Sequence, residues 1–330
     1  MNPPADTRPR LLFRALDEAE HRDEVRDVFY AYWPSYRSWI ARSGRTPSAR
    51  RSREAYLGCM PEMEPVLEHQ RDAFGTEAEV LRLLTLYAPP PMVRGCSQAV
   101  WIGDGDAALV RNYDHAPQLS DGLVLRANWG GTRTLAMTDC LVGALDGINE
   151  HGVAIALAFG GRPAHGDGFA ASMLVRYALQ VASTTDEAVD AMRRVPCAMT
   201  YTFLIIDAQA HHATVYAAPD RLPKIDHLPA STNHQGRIEW PRYAAFSKTA
   251  ERLAHLRACL DANPSLHELQ RALLEPPLHR TGYERGSGTL YTATYRTADR
   301  CLELHWPDAR MAIGLEGDMP EPHLAVYDTS

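Results

Sequence analysis

Lysine is almost missing from this sequence: of 34 basic residues only Lys224 and Lys248 are lysine, and the rest are arginine. Arginine suits bidentate capture of carboxylates, but a bias spread along a whole chain is a compositional trait rather than a functional one. A basic surplus is missing too. The formal net charge is -7, which argues against a nucleic-acid footprint. No apolar stretch approaches roughly 18 residues, so no membrane-spanning helix is expected. Met1 to Asp6 show no basic region leading into an apolar run. No signal peptide is therefore expected, and the default compartment is the cytoplasm. The six cysteines (Cys59, Cys96, Cys140, Cys197, Cys259, Cys301) contain no C-x-x-C pair. Neither a zinc cluster nor a disulfide framework is indicated, and most of them read as free buried thiols. Internal repeats and low-complexity tracts are also lacking.

What is present is a chain of 330 residues, 45% hydrophobic, long enough for one large domain or two moderate ones. Residues 14–88 read as helical. Leu11 to Ala31 mixes charged and apolar residues at helical spacing, and so does Pro61 to Leu86 with Met63, Leu67, Phe74, Leu81 and Leu84. Between them lies a loop rich in arginine (Arg42, Arg45, Arg50, Arg51, Arg53), read as a solvated surface loop. Pro89-Pro90-Pro91 ends the helical block.

Beyond the prolines the period changes. Strands are expected at Ser97 to Ile102 and Ala107 to Asn112 around a turn at Gly103-Asp104-Gly105-Asp106, then at Leu123 to Asn128, Thr134 to Thr138, Leu141 to Asp146 and Val153 to Phe159. Helices follow at Phe169 to Val181 and Thr185 to Arg194, the second with Thr185 as N-cap. Strands return at Thr200 to Asp207 and His212 to Ala217. Helices are then expected at Pro241 to Leu260 and Pro264 to Leu274, and a hairpin at Thr289 to Arg296 and Arg300 to Trp306. That order suits an α+β chain with two sheets sandwiched between helix layers better than alternating βαβ units.

Chemistry concentrates at Gly95-Cys96-Ser97. A lone cysteine is usually a small core hydrophobe, but Cys96 stands where a helical block stops and a strand begins. Gly95 has no Cβ, so its carbonyl can sit in a strained conformation and be approached closely. A thiol attacking that carbonyl gives a thioester by N-to-S acyl shift, and water then splits the chain before Cys96. The new α-amino group titrates at roughly 7.7–8.0 and is a built-in base for the thiol. Thiolate is the reactive form, so a neighbouring cation helps.

Arg111-Asn112-Tyr113-Asp114 lies on the returning strand. The hairpin brings Arg111 and Asp114 back toward Cys96. Arg111 is placed to depress the thiol pKa or hold a substrate carboxylate, and Asp114 to orient the new ammonium. The alternative for such a pair is an ordinary surface salt bridge.

These two segments, with Gly147-Ile148-Asn149-Glu150-His151-Gly152-Val153 and Thr232-Asn233-His234, resemble the choloylglycine hydrolase and penicillin acyltransferase branch of the N-terminal-nucleophile (Ntn) hydrolases. The closer match is to the acyl-coenzyme A:6-aminopenicillanic acid acyltransferases, which also carry a helical pro-segment before a Gly-Cys cleavage point. The likeness runs over about residues 60–306. It implies an αββα fold, with 1–95 as a helical pro-segment and 96–330 as the catalytic chain, the two staying associated after self-cleavage. It implies Cys96 as nucleophile, Arg111 and Asp114 as the family's arginine and aspartate, and Asn149 and Asn233 as amides that polarise the carbonyl; such donors are each worth roughly 3 kcal/mol. Turn geometry is the competing explanation for both asparagines. Tyr113 and His234 are placed as pocket residues.

One departure stands out. The family's late catalytic arginine has no counterpart at Thr289, and Arg285 precedes it in Arg285-Gly286-Ser287-Gly288-Thr289. Either Arg285 supplies that charge from the loop or the protein does without it, which counts against bile-salt specificity. The histidines (His115, His151, His211, His212, His234) lack metal-ligand spacing, and the Gly103–Asp106 turn lacks the full calcium-loop pattern. The expected activity is acyl transfer from a linear amide or acyl thioester through an acyl-enzyme on Cys96, without cofactor or metal. Expected partners are the small-molecule substrate and the protein's own cleaved chain, with homo-oligomerisation open and neither nucleic acid nor membrane involved. Two rivals remain: an unprocessed metabolite-binding protein of the same fold, and a Cys–His enzyme using His115 or His234 as base.

Overall fold

The computed structural model describes residues 7–42, 46–103 and 105–328. Arg45 of the arginine-rich loop, Asp104 of the first hairpin turn and the N-terminal residues 1–6 lie outside the described residues. The N-terminal part comprises β1 (Arg10–Asp17), α1 (Arg22–Ala41), α2 (Ala49–Cys59), α3 (Glu64–Phe74) and α4 (Ala78–Thr85). Then follow β2 (Gly95–Gly103), β3 (Asp106–His115), β4 (Leu123–Ala127), β5 (Thr134–Asp139), β6 (Gly143–Asn149) and β7 (Ala154–Phe159). Next come α5 (Ala171–Val181), α6 (Thr185–Arg194), β8 (Tyr201–Ile206), β9 (His212–Ala218), β10 (Arg221–Asp226) and β11 (Ala230–Ser231). The chain ends with α7 (Pro241–Ser247), α8 (Thr249–Asp261), α9 (Leu266–Leu273), β12 (Thr281–Gly282), β13 (Ser287–Arg296), β14 (Cys301–His305), β15 (Arg310–Gly314) and β16 (His323–Val326).

The strands form two sheets. A nine-stranded sheet runs β10-β9-β8-β7-β6-β5-β4-β1-β16, and a seven-stranded sheet contains the path β11-β2-β3-β13-β14-β15. Strands β2 and β3 pack face to face on β7 and β8. Helices α5 and α6 cover the large sheet, while α8 and α9 cover the small one. Each sheet therefore buries one face on the other sheet and one on helices. Strands such as β7, whose residues are all buried, read as continuous apolar runs for that reason. The expected αββα sandwich is what the chain forms.

The N-terminal part departs from an all-helical reading. Leu11 to Asp17 is strand, with Leu11, Phe13 and Ala15 buried between more exposed neighbours. That is a period of two, which the interspersed charges concealed. It pairs in parallel with β4 and antiparallel with β16, so a strand lying before Cys96 is built into the large sheet, next to its edge strand. Five further differences are local. The stretch from Pro61 to Leu86 breaks at Gly75, whose φ of 112° is open to glycine. The N-cap of α6 is Thr184, whose side chain accepts from the Glu187 N–H, while Thr185 Oγ1 donates to the His211 carbonyl. Lys248, in the left-handed region, divides the expected single helix into α7 and α8. Short β10, β11, β12, β15 and β16 had no clear sequence signal. The arginine-rich stretch is partly α2, and Arg50 and Arg53 pair there with Glu54, Glu64 and Glu68.

Candidate active site

Strands β2 and β3 form a hairpin in which Gly95 faces Asp114, Cys96 faces Tyr113 and Gln98 faces Arg111. Gly95 keeps a negative φ, so its need is space rather than a left-handed backbone. A Cβ there would stand 2.9 Å from both Cβ and Oδ2 of Asp114, closer than real side chains approach.

Cys96 is fully buried and all its polar groups are engaged. Its thiol receives a hydrogen bond from Arg111 Nη2 at 3.1 Å. Its N–H donates to Asn233 Oδ1 at 3.0 Å, and its carbonyl accepts from Arg252 Nη1 at 2.9 Å. Burial pushes the thiol pKa up, and the Arg111 charge opposes that rise. The thiol is therefore held protonated beside a cation able to stabilise its thiolate.

Arg111 is fixed in turn. Its Nη1 donates to Asp146 Oδ2 at 2.5 Å and to the Leu145 carbonyl at 3.0 Å. Asp146 also accepts from Tyr291 at 2.7 Å and Tyr295 at 2.5 Å. A fully buried ion pair is costly unless its polar atoms find partners; the two tyrosines complete the Asp146 carboxylate, while Arg111 Nε has no hydrogen-bond partner among the described residues. The Arg111 guanidinium lies over the Tyr113 ring at 5.0 Å.

Asp114 is not aimed at the Cys96 nitrogen, as the sequence reading had it. Its Oδ1 accepts from Thr289 Oγ1 at 2.8 Å and its Oδ2 from Arg252 Nη1 at 3.2 Å. Arg252 is the residue that reasoning on the sequence missed. From α8 its guanidinium also reaches Ser97 Oγ at 2.9 Å and Asn233 Oδ1 at 2.6 Å. It thus brings a second guanidinium to the site, and Arg285, exposed in a turn, does not. A signal was available: Thr249, Arg252, Leu253 and Leu256 are the buried residues of α8, at i, i+3, i+4 and i+7, so an arginine occupies a place in the apolar stripe.

Asn233 follows β11, which pairs with β2. Besides holding the Cys96 N–H, it donates through Nδ2 to the Arg94 carbonyl at 3.3 Å and the Phe159 carbonyl at 3.1 Å. The carbonyl it reaches is thus one peptide before the expected one. Tyr243 OH donates to the same Arg94 carbonyl at 2.7 Å. Gly161, at φ 74°, leaves room for this loop, since a Cβ there would meet the Asn233 carbonyl at 2.3 Å.

Asn149 is elsewhere. Its Nδ2 donates to the Leu179 and Ala182 carbonyls at 3.0 and 2.6 Å, and its Oδ1 accepts from the His151 and Val153 N–H groups. Both donor protons are spent tying the β6–β7 turn to the end of α5, so the structure does not bring Asn149 to the Cys96 group. His234 bonds Thr249 Oγ1 through Nδ1, and His115 packs on Tyr113. Neither histidine bonds Cys96, the contact a Cys–His pair would need. Burial and the nearby Arg94 lower the His115 pKa to about 3.

The family model for acyl-coenzyme A:6-aminopenicillanic acid acyl-transferase matches residues 101–311, opening just beyond Cys96. No curated protein matches the sequence. Among solved structures, the chain is similar to penicillin V acylase from Agrobacterium tumefaciens (14% identity, 66% of this chain and 84% of that one, TM-score 0.46). It is similar also to a conjugated bile acid hydrolase from Clostridium perfringens (14% identity, 72% and 98%, TM-score 0.49). A third is the Caenorhabditis elegans ortholog of N-acylethanolamine-hydrolyzing acid amidase (14% identity, 66% and 99%, TM-score 0.45). With more than half of its length matched by the family model, the chain belongs to the acyl-coenzyme A:6-aminopenicillanic acid acyl-transferase family.

Proposed function

We propose that the chain cuts itself between Gly95 and Cys96 and then carries out acyl transfer from a linear amide or acyl thioester through an acyl-enzyme on Cys96. The observation that carries this reading is the double hold on one residue: Arg111 Nη2 on the thiol at 3.1 Å and Asn233 Oδ1 on the backbone nitrogen at 3.0 Å. A cysteine that merely fills a core has no need of a guanidinium on its sulfur. An N-terminal nucleophile needs both, one for its thiolate and one for its future amine.

In the first turn the sulfur attacks the Gly95 carbonyl carbon. A carbon–sulfur bond forms, the bond from that carbon to the Cys96 nitrogen breaks, and the thiol proton ends on the nitrogen. Water then hydrolyses the thioester, leaving a Gly95 carboxylate and a free α-amine on Cys96. Substrate turnover repeats this chemistry with an external acyl group, resolved by water or by an amine. Withdrawal of the Arg94 carbonyl would free Asn233 Nδ2 and Tyr243 OH beside the thiol, two donors suited to the developing oxyanion.

The test is acyl-enzyme trapping. The purified protein is mixed with an acyl p-nitrophenyl ester, quenched in acid and mapped by peptide mass. The proposal expects the acyl mass on the peptide beginning at Cys96 and its absence from Cys96→Ala. Acylation of other cysteines with none at Cys96 would defeat it.

A further inference from the structure

The residue before the cleavage site's glycine is itself lodged in a built pocket. Arg94 is buried, with its Nη2 2.7 Å from Asp139 Oδ1. Its guanidinium lies 5.7 Å from the Tyr113 ring centroid, on the residue that faces Cys96 across the hairpin. Asp139 is 8% exposed, and among the described residues Arg94 is its ion-pair partner. The turn after Asp139 is stiff: Cys140 and Leu141 both have positive φ, and Asp121 holds it through the Leu141 N–H at 2.8 Å. Asp121 adds a second carboxylate nearby, and it is bonded to Tyr36 and Thr138. His115, buried and electrically neutral at ordinary pH, adds no charge.

Between Pro89 and Arg94 the segment is neither helix nor strand. It contains Pro89, Pro90 and Pro91. Its carbonyls are taken by side chains: Pro89 by His165, Met92 by Tyr201, Arg94 by Asn233 and Tyr243. A small cleft of about 20 Å³ lies alongside, lined by Pro89, Met92, Arg94, Asp139 and Tyr201 among others. Once the bond after Gly95 is cut, the covalent tie on that side is gone.

Granting the acyl-enzyme chemistry proposed above, the thioester formed in self-cleavage and the thioester formed in turnover hang from the same sulfur. We propose that Asp139 forms an acyl-side subsite for a cationic group, occupied by Arg94 in the uncut chain and by the substrate afterwards. The substrate class is then an amide or thioester whose acyl chain ends in a guanidinium or ammonium separated from its carbonyl by one residue plus an arginine side chain's length, as Arg94 is from the Gly95 carbonyl. The electrostatics favour this strongly. Withdrawal of Arg94 leaves a nearly buried carboxylate with no counter-charge, a costly state that an incoming cation relieves. A neutral acyl chain of the same length relieves nothing.

The experiment uses the processed wild-type protein and two chromogenic anilides, δ-guanidinovalerylglycine p-nitroanilide and its neutral isostere δ-ureidovalerylglycine p-nitroanilide. The expected result is kcat/KM at least tenfold higher for the guanidino substrate, with the ratio falling toward one in Asp139→Asn. The wild-type ratio decides the matter by itself if that variant does not fold or process. Equal rates, or faster turnover of the ureido compound, overturn the subsite while leaving acyl transfer standing. No turnover of either anilide, together with no acyl group on Cys96 from the nitrophenyl ester, overturns the acyl-enzyme reading and the subsite with it.

Discussion

Arg252 and Asp114 form an ion pair at 3.2 Å in which neither side chain is exposed to solvent. The pair ties helix α8 to the strand that faces Gly95, and the same guanidinium bonds the Cys96 carbonyl, Ser97 and Asn233. Arg252→Met would leave a buried carboxylate unpaired, at a cost of about 3–5 kcal/mol in stability. Arg252→Lys keeps the charge but loses the planar fork. It should fold, and it should slow chain cleavage by about 100-fold. Denaturant melts and a time course of chain cleavage check the two outcomes.

The two asparagines should separate. Asn149→Ala removes the bonds that tie the β6–β7 turn to α5 and should destabilise by about 3 kcal/mol, with kcat of the folded fraction within about twofold of wild type. Asn233→Ala removes the partner of the Cys96 N–H and should stop cleavage. Steady-state kinetics beside urea titrations distinguish a structural amide from one at the reacting atoms.

Tyr243→Phe deletes the hydroxyl that donates to the Arg94 carbonyl while keeping the ring packed on Phe159. If that hydroxyl serves an oxyanion in turnover, kcat should fall by about 100-fold, with little change in the melting temperature. An unchanged kcat would place the hydroxyl outside the reaction.

Much of this was legible in the sequence, and the parts that were not have a common cause. The hairpin carrying Cys96, Arg111 and Asp114 lay in a local alternation around a Gly-Asp turn, so its neighbours followed from short-range pairing. Arg252 reaches the same site from 156 residues away, and only tertiary packing turns a helix's buried face into a site wall. Asn149 misled because the turn chemistry that favours asparagine and the donor role both call for the same residue type. β1 was misread because its apolar alternation is only a few residues long, and charges fill the intervening positions.

The stability of the uncut protein should depend on pH through His115. Its pKa is about 3 in the fold and roughly 6.5 in an unfolded chain. Between those values the unfolded state binds the extra proton, so stability is full above pH 6.5 and falls as pH drops toward 3. Uncut Cys96→Ala should lose about 2 kcal/mol between pH 7 and 5 from this group. Cys96→Ala/His115→Phe should lack that part of the slope in urea melts at the two pH values.

Strand β1 sits between β4 and β16, so cleavage after Gly95 should not release the small chain. Both chains should elute together in native size-exclusion chromatography and separate only in denaturant. A stable, active 96–330 fragment free of the N-terminal chain would contradict the role given to β1.

The central claim is self-cleavage before Cys96, and intact mass tests it most directly. Wild-type protein should give two chains whose masses place the break between Gly95 and Cys96, while Cys96→Ala should remain a single chain of about 36.7 kDa. Both proteins persisting uncut would contradict the account and bring forward the unprocessed binding protein.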